Sequence, residues 1–86
     1  MDKYLLEILR CPITGQNLQT LGRDRLKKLN AAVERGELRY QDGSRIETPL
    51  GGALMTANGS TIYRVDDDIP VMLEDRAIPV EQLQDF

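Results

Sequence analysis

The sequence predicts a small α+β domain in which an antiparallel sheet of about four to six strands is packed by two helices. The chain has 86 residues, which is enough for one domain with a modest core. Apolar side chains recur at helical spacing in two segments. Two turn-forming dipeptides, Asp42-Gly43 and Asn58-Gly59, each separate short strand-like runs, which indicates antiparallel hairpins.

The first predicted helix spans residues 2–10. Asp2 is suited to cap it, and leucines at helical spacing form one apolar stripe. Pro12 ends the helix, because the residue before a proline avoids the α region. After a turn-rich stretch, residues 18–21 are predicted to form the first strand.

The second predicted helix spans residues 25–35. Asp24 is the expected N-cap and Gly36 the expected C-cap. The apolar positions fall on one face at helical spacing and are expected to point into the core: Leu26, Leu29, Ala32 and Val33.

The remaining strands follow the second helix. The Asn58-Gly59 turn joins predicted strands at 53–56 and 60–65, and the last strand is predicted at 69–73. Because side chains alternate along a strand, Ile62 is expected on one face of the sheet and Tyr63 and Val65 on the other. Residues 1–78 are therefore predicted to form a single domain, and residues 79–86 an acidic tail.

The charge distribution is uneven along the chain. The net charge is −3, yet residues 1–65 carry a balance of +3 and residues 66–86 a balance of −6. An acidic C-terminal end argues against a broad nucleic-acid footprint. A nucleic-acid-binding module is thus a remote alternative, and it would use the basic side chains before and within the second helix: Arg23, Arg25, Lys27 and Lys28.

The content of metal-binding and nucleophilic residues is low. Cys11 is the sole cysteine and the chain has no histidine, so the four nitrogen or sulfur ligands of a structural zinc site are not available. A single thiol also rules out an internal disulfide. A nucleophilic Cys11 would lack the usual activating base. We therefore predict no cofactor, no metal and no enzymatic activity.

Three blocks of sequence carry a family resemblance: LLEILRCP at 5–12, the hairpin leading to Tyr63, and DDIPVML at 67–73. Together they resemble the small zinc-ribbon proteins related to the activator subunit of tRNA methyltransferases, and their short bacterial relatives. The resemblance implies a sheet derived from a zinc ribbon. It also implies that residues 19–52 are an expanded middle segment, and that Arg64 and Asp68 replace a proline and a glycine of the family pattern.

The same resemblance assigns the four ligand positions of the zinc ribbon to Cys11, Thr14, Thr56 and Gly59. Only Cys11 is a residue that can bind zinc in such a site. The resemblance therefore implies a branch that has lost zinc. In such a branch, hydrogen bonds and packing are expected to hold the two turns, with Thr14 and Asn58 as natural turn-forming residues.

The function implied by the resemblance is that of a non-enzymatic adaptor or stabiliser, which pairs edge to edge with a methyltransferase. The apolar strand at 69–73 and its neighbours supply the candidate partner-binding residues: Ile62, Tyr63, Val65, Ile69, Val71, Met72 and Leu73. Two alternatives remain open. The two helices could cover both faces of this strand, or the edge could pair with a second copy in a self-associating structural protein.

The N-terminus has no long apolar run, and acidic residues appear at once, so no signal peptide is expected. No run of about 18 apolar residues is present, so no membrane span is expected either. Together with the low cysteine content, this predicts a cytoplasmic protein.

Overall fold

The computed structural model describes residues 7–83. It contains the strands Leu18–Thr20 (β1), Gly52–Thr56 (β2), Thr61–Asp66 (β3), Ile69–Pro70 (β4) and Ile78–Pro79 (β5), the helix Arg23–Glu34 (α1), and 3₁₀ turns at Glu74–Arg76 and Val80–Gln82. The predicted α+β class is confirmed at this level.

The helices differ in number from the prediction. Helix α1 is the one α-helix that lies wholly within the described residues. The first predicted helix, residues 2–10, lies mostly outside them, although Glu7 and Ile8 near its end are helical.

The sheet is antiparallel, with the strand order β1-β2-β3-β4. Strand β5 pairs with the same edge of β3 as β4 does, through Thr61 and Ile62. The last predicted strand, 69–73, is therefore shorter than expected. The chain follows β3 only as far as Val71, whose N–H donates to the carbonyl of Arg64 at 3.0 Å. It then leaves the sheet and returns as β5.

Helix α1 begins directly after β1. Its N-cap is Gly22, whose carbonyl accepts the N–H of Leu26 at 2.9 Å, so the prediction of Asp24 as the cap is wrong and Asp24 lies in the first turn. At the other end Gly36 has a φ of +70°, the left-handed conformation that favours glycine. The N–H of Gly36 bonds Val33 and the N–H of Glu37 bonds Ala32, so the carbonyls of the last turn find donors.

The core consists of two clusters, one on each face of the sheet. The first lies under α1 and contains Leu21, Leu29, Ala32, Val33, Leu38, Ile46, Leu50, Ala53, Met55, Ile62 and Ile78. The second contains Cys11, Leu18, Leu54, Tyr63, Val65 and Ala77, with Leu9 and Met72 packed against it. The predicted apolar face of α1 and the predicted alternation of Ile62 with Tyr63 are confirmed. Both faces of β3 are therefore covered.

The middle segment is tied to the rest of the domain by polar contacts. The side-chain amide of Asn30 in α1 exchanges two hydrogen bonds with the backbone of Leu50, at 2.7 and 3.0 Å. From β3, the Arg64 guanidinium donates to the Tyr40 hydroxyl at 2.7 Å and to the Thr48 hydroxyl at 3.1 Å. These bonds fix the residues between α1 and β2 against the sheet.

The turn between β3 and β4 contains two residues, Asp67 and Asp68, with φ of 50° and 63°. Asp66 and Ile69 pair on either side of it, so the loop has the positive φ pair of a type I′ hairpin. Aspartate adopts this conformation more readily than most residues, because its short side chain bonds locally. The structure thus explains why the resemblance places glycine at position 68.

Candidate functional site

Two turns lie side by side at the end of the sheet where β2 joins β3. In the first, the N–H of Gly15 donates to the carbonyl of Cys11 at 2.8 Å. In the second, the N–H of Gly59 donates to the carbonyl of Thr56, also at 2.8 Å. The structure therefore places the four positions that the resemblance assigns to zinc ligands on two neighbouring turns.

Hydrogen bonds join the two turns directly. The side-chain oxygen of Gln16 accepts the N–H of Asn58 at 3.1 Å, and the carbonyl of Asn17 accepts the N–H of Ala57 at 3.0 Å. Thr14 supports its own turn, where its hydroxyl accepts the N–H of Gln16 at 3.3 Å. Direct hydrogen bonds between protein groups thus connect the two turns.

Thr56 is the centre of the second turn. Its side chain is fully buried, and its hydroxyl donates to the side-chain oxygen of Asn58 at 2.8 Å. The same hydroxyl oxygen accepts the N–H groups of Ser60 and Thr61, each at 3.2 Å. One side chain therefore orders the whole turn from the end of β2 to the start of β3.

Cys11 is buried and its sulfur lies 2.9 Å from the hydroxyl oxygen of Tyr63. Burial acts to raise the pKa of the Cys11 thiol, but hydrogen bonds from Thr14 and Tyr63 outweigh burial and lower that pKa. For Tyr63, burial and then the bond to Cys11 raise the pKa of the phenol above its usual value. When Cys11 is a thiolate, Tyr63 is therefore the donor.

This pair gives an expected pH dependence. An unfolded tyrosine loses its proton near pH 10, whereas Tyr63 in the folded protein keeps it. The raised pKa contributes stability below about pH 10, and that stability is lost as the pH rises further, by up to about 1.4 kcal/mol per pH unit. The lowered pKa of the Cys11 thiol acts in the opposite direction, because it adds stability to the folded state as the pH rises. That added stability is already complete above the usual pKa of a thiol, so it does not change the slope above pH 10.

We therefore expect the free energy of unfolding to fall above pH 10, and to fall less steeply in Tyr63→Phe. Denaturant titrations at several pH values between 8 and about 11.5 would measure both slopes. Tyr40→Phe is the matched control and should keep the wild-type slope, because it leaves Tyr63 intact. Equal slopes in wild type and Tyr63→Phe would contradict the assignment.

Metal ligands are not clustered in the part of the chain that the structure describes. Within residues 7–83, no group of three or more histidine, cysteine, aspartate or glutamate side chains is placed to hold a metal ion. No helix in the same range is both long and apolar enough to cross a membrane.

The predicted partner-binding residues separate into two groups. Ile62 and Tyr63 are fully buried and Val65 is nearly so, because α1 covers one face of β3 and the second cluster covers the other. A partner cannot reach these three side chains in this conformation. At these three positions the domain itself therefore covers both faces of β3.

The residues at 69–73 behave differently. Ile69 is 67% exposed and Leu73 is 57% exposed, whereas Met72 packs against the second cluster. The segment is extended, so alternate side chains point in opposite directions. Ile69 and Leu73, with the partly exposed Val71 between them, form an outward apolar strip.

Two prolines occupy the outer edge of the sheet beside this strip. The N–H of Val71 donates to the carbonyl of Arg64. In an antiparallel ladder the next pair, Val65 and Pro70, is therefore a non-hydrogen-bonded pair, in which the backbone N–H and C=O groups of each residue point away from the other strand. The same holds for Thr61 and Pro79, since Val80 donates to Ser60. Both prolines therefore present a backbone position without an N–H donor to the side away from β3. The Pro79 carbonyl accepts the side-chain amide of Gln82 at 3.0 Å, and the neighbouring Ala77 carbonyl accepts the N–H of Gln41 at 2.7 Å. Edge-strand pairing at 69–73, as the resemblance implies, is disfavoured by this geometry.

Arg64 is the residue whose importance the sequence pattern did not reveal. It is 9% exposed, in the middle of a buried strand, and its guanidinium lies 3.0 Å from the carboxylate of Asp66. The signal that could have identified it is a charged residue within an otherwise apolar strand, because such a charge is buried only when it is paired.

These features define the structural class of the protein. It is a small α+β domain with two hydrogen-bonded turns at one end of the sheet and an apolar strip at the other. The chain belongs to the family of XF2673, a Xylella fastidiosa protein whose solution NMR structure was solved as a Northeast Structural Genomics Consortium target. The two sequences are 37% identical, the match covers 100% of this chain and 89% of that chain, and the TM-score is 0.80. Neither a protein-family model nor a curated protein matches the chain.

Proposed function

We propose that this protein is a non-enzymatic adaptor that binds a protein partner through the apolar strip of Ile69, Val71 and Leu73. The observation that carries the proposal is the exposure of Ile69 and Leu73, 67% and 57%, on an extended segment anchored by Met72. Single exposed apolar residues are common on protein surfaces, but an extended run with all its outward side chains apolar is typical of an interaction site.

The energetic contribution of the strip is limited but useful. Fully burying an isoleucine or leucine contributes about 1.5–3 kcal/mol, and each of these side chains is already partly covered. A stable interface covers about 800 Å² on each partner. The strip is therefore the apolar centre of a larger contact, and the surrounding polar residues form its rim.

A methyltransferase is the partner class that we propose, on the basis of the sequence resemblance. The neighbouring turns at Cys11–Gln16 and Thr56–Ser60 support the resemblance, since hydrogen bonds hold them where a zinc ion would otherwise join them. Because Pro70 and Pro79 remove the N–H donor at two positions of the outer edge, we expect partner contacts to be made by side chains rather than by strand addition.

The test uses substitutions that leave the core intact. We expect the double variant Ile69→Asp/Leu73→Asp to fold normally and to capture at least about ten-fold less partner, because two desolvated carboxylates would sit at the centre of the contact. Tagged wild-type and variant proteins would be used in parallel pull-downs from native cytosol, with quantitative mass spectrometry. Met72 is unsuitable for this test, because its side chain packs against the second core cluster.

Ile13→Asp is the matched control. Ile13 is 51% exposed on the first turn, and that turn bonds the second turn before β3, whereas Ile69 pairs with Asp66 at the far end of β3. The two sites are thus separated by roughly the length of β3, about 16 Å. Capture of the same proteins at the same level by the double variant and by Ile13→Asp would refute the proposed function.

A further inference from the structure

We propose that the partner presents an apolar patch bordered by lysine and arginine side chains, because the apolar strip lies inside a rim of exposed carboxylates. This inference rests on the proposed function and specifies the chemistry of the partner at the same site.

Acidic residues flank the strip on both sides in sequence. Asp67 and Asp68 immediately precede Ile69, and Glu74 and Asp75 immediately follow Leu73. All four are exposed. The rim is thus continuous with the strip at both ends.

Three of the four rim carboxylates have no neutralising ion pair among the described residues. Within residues 7–83, no ion pair neutralises Asp67, Glu74 or Asp75. Arg76, the sole basic residue after position 65, instead lies 4.9 Å from the ring centroid of Tyr40 and 3.7 Å from the carboxylate of Asp42. The guanidinium of Arg76 is therefore engaged with the middle segment.

The rim is compact enough to act as one unit. The extended backbone from Ile69 to Leu73 spans about 13 Å, and the Debye length at physiological ionic strength is about 8 Å. Carboxylates at both ends therefore influence any group that approaches the strip. Their common sign favours a basic partner and speeds its approach.

The same charges argue against two other occupants. A second copy joined strip to strip would place one acidic rim against another, and like charges across an interface are costly. A nucleic acid would meet the same repulsion from its phosphates. The apolar strip and acidic rim together thus select a basic, partly apolar protein surface.

The experiment uses the full chain and three synthetic amphipathic peptides of equal length, made from leucine and lysine, leucine and glutamate, or serine and lysine. Titrations of the ¹⁵N-labelled protein would be followed by chemical-shift changes at residues 66–76. We expect the leucine–lysine peptide to bind there at least about ten-fold more tightly than either of the others, and to weaken as salt is raised.

A charge-reversal variant locates the effect. Glu74→Lys/Asp75→Lys should lose the preference for the leucine–lysine peptide, because these exposed side chains form one end of the rim. The matched control Glu34→Lys/Glu37→Lys changes the net charge equally at exposed positions outside the rim, and should keep the preference.

The outcomes separate this inference from the proposed function. Equal binding of the leucine–lysine and leucine–glutamate peptides at residues 66–76 would overturn the charge selection but leave the apolar strip as a binding site. Equal binding of the serine–lysine peptide, or no shift in this region with any peptide, would overturn the inference itself. The proposed function is judged separately, by the Ile69→Asp/Leu73→Asp pull-down from native cytosol.

Discussion

Thr56→Val is expected to lower the free energy of unfolding by about 2–3 kcal/mol. Valine matches threonine in shape, so packing is retained. The hydroxyl, however, is fully buried and bonds the side-chain oxygen of Asn58, the N–H groups of Ser60 and Thr61 and, at 3.5 Å, the Ser60 hydroxyl. The N–H of Ser60 keeps its bond to the side-chain oxygen of Asn58, whereas the N–H of the partly buried Thr61 loses this acceptor, and a donor left without a partner costs more than the lost bond itself.

Thr56→Ser is the matched control for this prediction. It keeps the hydroxyl and removes one methyl group, so we expect a loss of about 1 kcal/mol. Chemical denaturation of the three proteins would give the comparison. If serine and valine proved equally destabilising, the hydroxyl would not be the group that holds the turn.

Arg64→Met is expected to lower the free energy of unfolding by about 2 kcal/mol. The guanidinium bonds Tyr40, Thr48 and the carbonyl of Pro49, and it forms an ion pair with Asp66. Methionine fills much of the space but makes none of these contacts. The Asp66 side chain is 49% exposed and regains water, which limits the loss below that of a fully buried ion pair.

Two further variants test the assignment of Arg64. Arg64→Lys keeps the charge but not the planar fork, so it should recover only part of the stability. Arg23→Met removes an exposed arginine at the start of α1 and should change the stability by less than about 0.5 kcal/mol. Thermal unfolding of all three would suffice, and a wild-type melting temperature for Arg64→Met would show that the network carries no stability.

The helix and the central hairpin were predictable because their signals are local. The spacing of Leu26, Leu29 and Val33 identifies the buried face of α1, and Gly36 marks its end. The Asn58-Gly59 dipeptide identifies the turn between β2 and β3. The predicted N-cap, Asp24, was two residues too late. Leu21 is the last residue that bonds β2, through Ala53, and the helix begins directly after it, with Gly22 as the N-cap.

The features that the sequence did not reveal depend on distant contacts. Strand β5 has only two residues and therefore no alternation to detect. Arg64 is buried because Tyr40 and Thr48 reach it from another segment, 24 and 16 positions away. The division of the candidate site into buried and exposed halves depends on α1 and the second cluster covering β3, which no local pattern determines.

The outward positions of Pro70 and Pro79 have a consequence for solubility. An exposed apolar strand with open N–H groups is a template on which further chains stack into cross-β aggregates. Here the strip remains exposed in the free protein, yet the edge beside it lacks the donors that stacking requires at both prolines. The prolines are therefore placed as gatekeepers, because they oppose strand-to-strand stacking next to the exposed apolar strip.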